Sequence, residues 1–82
     1  MAHATIYATD WCPYCASLLK GLRDLDPSEY VVIDVDQDEE AGEWVKSVND
    51  GNRIVPTVKF SDGTHATNPP AADVLAKIQD LS

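Results

Sequence analysis

Between Ala4 and Ala8 the chain alternates, with Ala4, Ile6 and Ala8 apolar and Thr5 and Tyr7 between them. A period of two predicts a short strand with one buried face. The spacing then changes. Cys15, Leu18, Leu19, Leu22 and Leu25 recur at helical intervals behind Pro13, a first-turn residue whose missing N–H costs nothing there. Asp26-Pro27-Ser28 interrupts that stripe. Tyr30 to Val35 follows, rich in β-branched residues and nearly continuous in its apolar character, the pattern of a strand covered on both faces.

Asp38, Glu39 and Glu40 place negative charge in the first turn of a second predicted helix. Its Ala41, Trp44, Val45 and Val48 face one way, while Glu43, Lys46 and Ser47 face the other. Asn49-Asp50-Gly51 closes it, with Gly51 suited to a left-handed cap. Pro56 precedes a third strand, Thr57 to Phe60, and the turn Ser61-Asp62-Gly63 leads to a fourth, Thr64 to Thr67. Asn68-Pro69-Pro70 opens a last helix with Val74, Leu75, Ile78 and Leu81 on its core face. The order βαβαββα predicts an α/β fold, a mixed four-stranded sheet with helices on both faces. Residues 1–82 read as a single domain. The turn after the first strand falls at a rim of the sheet, where open α/β sheets receive ligands.

Charge and composition narrow the partners. The apolar share of 44% is that of a folded protein, and no run approaches the length of a membrane span. The first residues carry neither a basic region nor a long apolar run, so the expectation is a soluble, cytoplasmic protein. The formal charge of −8 comes from 14 acidic against 6 basic side chains. Ten of those acids lie between Asp24 and Asp50, with Lys46 the only basic residue among them. This argues against nucleic acid as a partner. The acidic block reads either as a solvated face or as a docking surface for a basic partner.

The candidate chemistry is concentrated in Trp11-Cys12-Pro13-Tyr14-Cys15, which holds both cysteines. A disulfide across so short a loop removes little entropy from the unfolded chain, so the pair serves reactivity and not stability. Cys12 is predicted to cap the helix, with the N–H groups of Tyr14 and Cys15 available to its sulfur, since Pro13 has none. A helix N-terminus favours negative charge by about 0.3–1 kcal/mol at exposed sites and up to ~2 when partly buried. Cys12 is therefore the expected thiolate nucleophile. Cys15, one turn on and facing inward, is placed to attack a mixed disulfide formed on Cys12.

Trp11 and Tyr14, on either side of Cys12-Pro13, offer amphipathic surface to the non-reacting part of a substrate. Trp44 belongs to the apolar stripe of its helix. Zinc is the rival reading of the cysteines, but His3 and His65 stand alone at distant positions and fit surface roles better. Pro56 after Ile54-Val55 is the second signal. A strand-start proline is a frequent setting for a cis bond, which would leave the N–H and C=O of Val55 outside the sheet and free for a substrate. An ordinary trans proline is the alternative.

Cys12-Pro13-Tyr14-Cys15, the helix after it and Val55-Pro56-Thr57 resemble the glutaredoxin branch of the thioredoxin fold, over essentially the whole chain. Trp11, the run from Val48 through Pro56 to Val58, Asp62-Gly63-Thr64 and Thr67-Asn68-Pro69 resemble the mycoredoxin subfamily more narrowly. The resemblance implies a thiol-disulfide oxidoreductase with Cys12 as nucleophile, Cys15 as resolving or modulating thiol, and Pro56 as the cis-proline facing Cys12. It implies mycothiol as co-substrate, mycothiolated client proteins, and a flavoprotein mycothiol disulfide reductase as partners, with no tightly bound cofactor and no metal. The chain departs from glutathione-dependent relatives at two places. Thr9 and Asp10 stand where a lysine is usual, and Thr67-Asn68-Pro69 replaces a pair of glycines.

Glutathione carries two carboxylates that call for cations, whereas mycothiol is a neutral, hydroxyl-rich conjugate of cysteine. An acidic chain with few cations near its thiol suits the second. Asp10, Arg53, Thr67 and Asn68 are the candidate hydroxyl-binding residues, beside Trp11, Pro13, Tyr14, Val55 and Pro56. Thr67 and Asn68 also read as the start of the last helix.

The leading expectation is removal of mycothiol from protein mixed disulfides by a monomeric enzyme. The rival enzyme is a dithiol redoxin reduced by thioredoxin reductase that donates electrons to ribonucleotide reductase. The rival without catalysis is an iron–sulfur cluster carrier, against which the stiff Pro13 counts.

Overall fold

Strand β1 (Ala4–Ala8) lies inside the sheet in the computed structural model, which describes residues 2–82. It is followed by α1 (Pro13–Gly21), a 3-10 turn at Pro27–Glu29, β2 (Tyr30–Asp34), α2 (Glu39–Ser47), β3 (Thr57–Phe60), β4 (His65–Thr67) and α3 (Ala71–Leu81). The sheet order is β2-β1-β3-β4. Strands β1 and β2 run parallel, with Ile6 opposite Val32, and β3 is antiparallel to both β1 and β4, with Ile6 opposite Val58 and Val58 opposite Ala66.

The pleat sends alternate residues of β1 into two different cores. Ala4, Ile6 and Ala8 join Cys15, Leu18 and Leu22 of the α1 region, Val58 and Phe60 of β3, and Val74 and Ile78 of α3. Tyr7 points to the opposite face and packs with Val35, Ala41 and Val45. Helices α1 and α3 thus cover one face and α2 the other. Burying side chains such as Ile6, Leu22, Val45 and Val74 contributes roughly 1.5–3 kcal/mol each before chain entropy is charged against it.

Two strand assignments change places relative to the apolar pattern. β1 was expected to have one buried face, yet Tyr7 is buried as well. The apolar run of β2 was expected to be covered on both sides, yet β2 is an edge strand, with Val31 and Val32 exposed by 46% and 45%. An edge strand has a sheet neighbour on one side only, and β-branched composition alone does not distinguish it from an interior strand.

Other boundaries shift by a residue. β2 stops at Asp34, although the Val35 N–H still donates to the Ala8 carbonyl at 3.0 Å. β4 starts at His65 because Thr64 belongs to the preceding turn, its N–H and hydroxyl both donating to Asp62 Oδ1. Asp38 caps α2 by accepting from the Ala41 N–H at 3.1 Å. Gly51 has φ +87° and donates its N–H to the Lys46 carbonyl, while the regular helix ends earlier, at Ser47.

The crossing of α1 and α3 depends on an absent side chain. A Cβ on Gly21 would stand 2.4 Å from the Ala71 Cβ, well inside contact distance. Trp44, on the α2 face, stacks on Tyr7 with ring centroids 4.8 Å apart and carries the Lys59 ammonium over its ring at 5.4 Å.

Candidate functional site

Cys12 is the N-cap of α1. Its backbone is extended (φ −88°, ψ 116°), and Pro13 takes the first helical position. The Cys15 N–H donates to Cys12 Sγ at 3.3 Å. Of the two donors expected from the sequence, the Cys15 N–H makes this bond; the Tyr14 N–H does not. The thiol in turn points at the Val55 carbonyl oxygen, 3.7 Å away. Val55-Pro56 is a cis peptide bond, and the loop it forms is brought against the start of α1. The Val55 carbonyl is therefore not free in this state, contrary to the expectation from sequence. It already accepts the Cys12 thiol.

Both cysteines are free thiols and both are buried. Cys15 faces inward with Leu18, and burial, followed by its contact with the Cys12 side chain, pushes its thiol up to about 11. Partial compensation comes from the Thr9 N–H and hydroxyl, which favour a negative sulfur. At neutral pH Cys15 is thus a protonated thiol, the asymmetry expected of an inward-facing second cysteine.

The aromatic residues flanking Cys12 are exposed, Trp11 by 70% and Tyr14 by 65%, and each leads to a different part of the rim. The Trp11 Nε1–H donates to Asp36 Oδ2 at 2.9 Å. Asp36 Oδ1 accepts from the Arg53 guanidinium in an ion pair. These two partners, the indole first, hold the Asp36 carboxyl below its usual range. Beyond Arg53 opens a cavity of about 470 Å³ walled by Val35, Asp36, Glu39, Gly42, Glu43 and Lys46. Neither cysteine lines it.

On the other side, Tyr14 shares a smaller cavity of about 210 Å³ with Ser17, Leu18, Asn68 and Pro70. Asn68 adopts φ +49° and donates its N–H to the Pro56 carbonyl at 2.7 Å. The structure therefore joins Asn68 to Pro56 and Tyr14, and Arg53 to Trp11.

Thr67 goes elsewhere. Its hydroxyl donates to Asn49 Oδ1 at 2.6 Å, and Asn49 Nδ2 donates to the Val45 carbonyl and to Thr57 Oγ1. This ties β4 to the end of α2, with Thr67 itself still exposed. Asp10 is exposed and takes no part in these contacts. His3 lies 3.6 Å from Glu29 and His65 packs edge-on to Trp44, which places both in surface contacts away from the cysteine turn. Among the described residues there is no cluster of three or more His, Cys, Asp or Glu side chains that could hold a metal.

Asp36 is the residue that sequence reasoning missed. It lies 25 residues from Trp11 and 17 from Arg53, inside an acidic block where nothing local distinguishes it.

Comparison with known proteins decides the family. The glutaredoxin family model matches residues 4–66. The chain belongs to the glutaredoxin family. It is 77% identical over 82 residues to Mycoredoxin 1 of Corynebacterium glutamicum, covering all of both chains. Its fold is similar to the crystal structure of the glutaredoxin grx-1 from Archaeoglobus fulgidus, with a TM-score of 0.69 and 25% identity over 96% of this chain and 88% of that one. The holo form of glutaredoxin C1 from Populus tremula x tremuloides shares the fold at 20% identity and a TM-score of 0.67, over 99% of this chain and 87% of that one. As a glutaredoxin-family protein it is a thiol-disulfide oxidoreductase of the thioredoxin-like fold, and proteins of this family use glutathione-like thiols as co-substrate. No helix among the described residues is long and apolar enough to cross a membrane.

Proposed function

We propose that this glutaredoxin reduces mixed disulfides between proteins and mycothiol, with Cys12 as the nucleophile. The observation that carries the reading is the placement of Cys12 Sγ, on the first turn of α1 with the Cys15 N–H directed at it. That donor and the helix N-terminus both favour a charged sulfur. The thiol proton lies toward the Val55 oxygen. Once the proton leaves, the sulfur no longer donates to the Val55 oxygen. The Val55 carbonyl becomes free for substrate in the same event.

In the first half-reaction the Cys12 thiolate attacks the mycothiol sulfur of the mixed disulfide. A Cys12–mycothiol disulfide forms, the protein–mycothiol bond breaks, and the protein leaves as a thiolate that takes a proton. A second mycothiol then attacks the adduct, giving mycothiol disulfide and regenerating Cys12. A mycothiol disulfide reductase returns that product to two thiols. Neither half-reaction requires Cys15.

Choice of mycothiol over glutathione is supported by the full-length identity with Mycoredoxin 1 and by the charge around the site. Arg53, the cation joined to the Trp11 rim, is already neutralised by Asp36, so no charge is left over for a carboxylate-bearing thiol. Trp11, Pro13, Tyr14 and Asn68, all exposed, then form the surface on which a sugar-bearing thiol rests, with the buried Pro56 beneath it. The clients are mycothiolated proteins of the cytoplasm. Turnover with matched mycothiol and glutathione mixed disulfides of one client tests the reading: preference for the mycothiol form supports it, and equal or reversed preference refutes it.

A further inference from the structure

Thr9, at the end of the central strand, carries a hydroxyl that the resting fold does not use. The residue is only 7% exposed, and its Oγ1 is buried without a hydrogen-bond partner. An orphaned buried hydroxyl costs stability, and a Val of the same shape would fold at least as well. The Thr9 hydroxyl and N–H nevertheless both face the Cys15 sulfur, itself 1% exposed. Cys12 is the titratable group that faces the same sulfur. In the neutral thiol form no hydrogen bond from Thr9 Oγ1 closes. A charged sulfur is a stronger acceptor and gives that hydroxyl a partner.

We propose that Thr9 is a positioning residue for Cys15, its hydroxyl donating a hydrogen bond to the Cys15 sulfur as that sulfur gains negative charge on the way to a Cys12–Cys15 disulfide. In that step the Cys15 thiol loses its proton and attacks Cys12 Sγ of the mixed disulfide. The new sulfur–sulfur bond forms between residues 12 and 15, the bond from Cys12 to the bound thiol breaks, and the departing thiolate takes up one proton. No external oxidant is consumed. The two electrons that reduce the mixed disulfide come from the Cys12–Cys15 pair. Thr9 thereby sets how readily the enzyme leaves the one-cysteine cycle for the two-cysteine state. The proposal rests on Cys12 being the sulfur that carries the adduct, which loss of all activity in Cys12→Ser tests separately.

The test compares Thr9→Val, Thr9→Ala and Thr9→Ser with the native protein, all as the full chain. A Cys12 mixed disulfide is preformed with a small thiol, and closure of the internal disulfide is followed by release of that thiol across pH. Loss of the hydroxyl in Thr9→Val is expected to slow closure by about tenfold at neutral pH, the size of one hydrogen bond to a charged group. It should also move the rate profile to higher pH, with melting temperature unchanged or raised. Thr9→Ala should repeat the slowing where Val does not fold, and Thr9→Ser should restore closure. Against a Cys15→Ser background, the effect of Thr9→Val should vanish, because the group it acts through is gone. Native closure rate and pH profile in both Thr9→Val and Thr9→Ala would overturn the proposal. So would an equal loss of mixed-disulfide turnover on adding Thr9→Val to Cys15→Ser, which would make Thr9 a general structural residue.

Discussion

The Cys12 thiol and the Val55 carbonyl face each other at 3.7 Å across a sequence separation of 43 residues. One is held by the cap of α1, the other by the turn into β3. Their contact ties the first turn of α1 to the cis-proline turn that leads into β3.

The Cys15 thiol should resist alkylation near neutrality. Cys15 is raised to about 11, chiefly by burial, so its thiolate is scarce at neutrality and grows only as pH approaches that value. Pulse alkylation of the reduced protein between pH 6 and 9 should therefore modify a single thiol per chain, located by peptide mass mapping at residue 12. Equal labelling of both residues in that range would contradict the asymmetry.

Charge at Asp36 should tune the choice of small thiol. Asp36→Asn keeps an acceptor for the Trp11 indole but removes the charge that neutralises Arg53. The expected result is a several-fold rise in turnover of glutathione mixed disulfides relative to mycothiol ones, diminishing with added salt, since the pair is partly exposed and screened. An unchanged ratio would show that Arg53 takes no part in selection.

Packing of α1 on α3 should fail on adding bulk at residue 21. Gly21→Val forces side-chain atoms into Ala71, where a Cβ alone would already stand at 2.4 Å. Overpacking of this kind costs about 1–3 kcal/mol, a fall in Tm of the order of 10 °C for a chain of this size. Thermal unfolding checks it, and Ala71→Gly in the same chain should recover part of the loss.

Much of this structure was legible because its strongest signals are local. Pro13 and Cys12 define a helix start within two residues, and the leucine stripe that follows fixes which side of α1 is buried, so Cys15 was placed inward from spacing alone. The Val55-Pro56 bond was legible for the same reason. What failed was anything set by neighbours distant in sequence. Ala4, Ile6 and Ala8 are modest in apolar content yet belong to the interior strand, while the Val-rich β2 ended at an edge. Thr67 bonds to Asn49, and Asp36 accepts from both Trp11 and Arg53. Both outcomes depend on side chains reaching across 17 to 25 residues.

The central claim, attack by Cys12 on the mycothiol sulfur, is tested most directly by trapping its product. The Cys15→Ser variant is mixed with a mycothiolated client and quenched with acid, and the intact masses of both proteins are read. The account predicts mycothiol transferred to Cys12 and a client carrying a free thiol, with no transfer to Cys12→Ser. A covalent complex between Cys12 and the client, or a client that keeps its mycothiol, would contradict it.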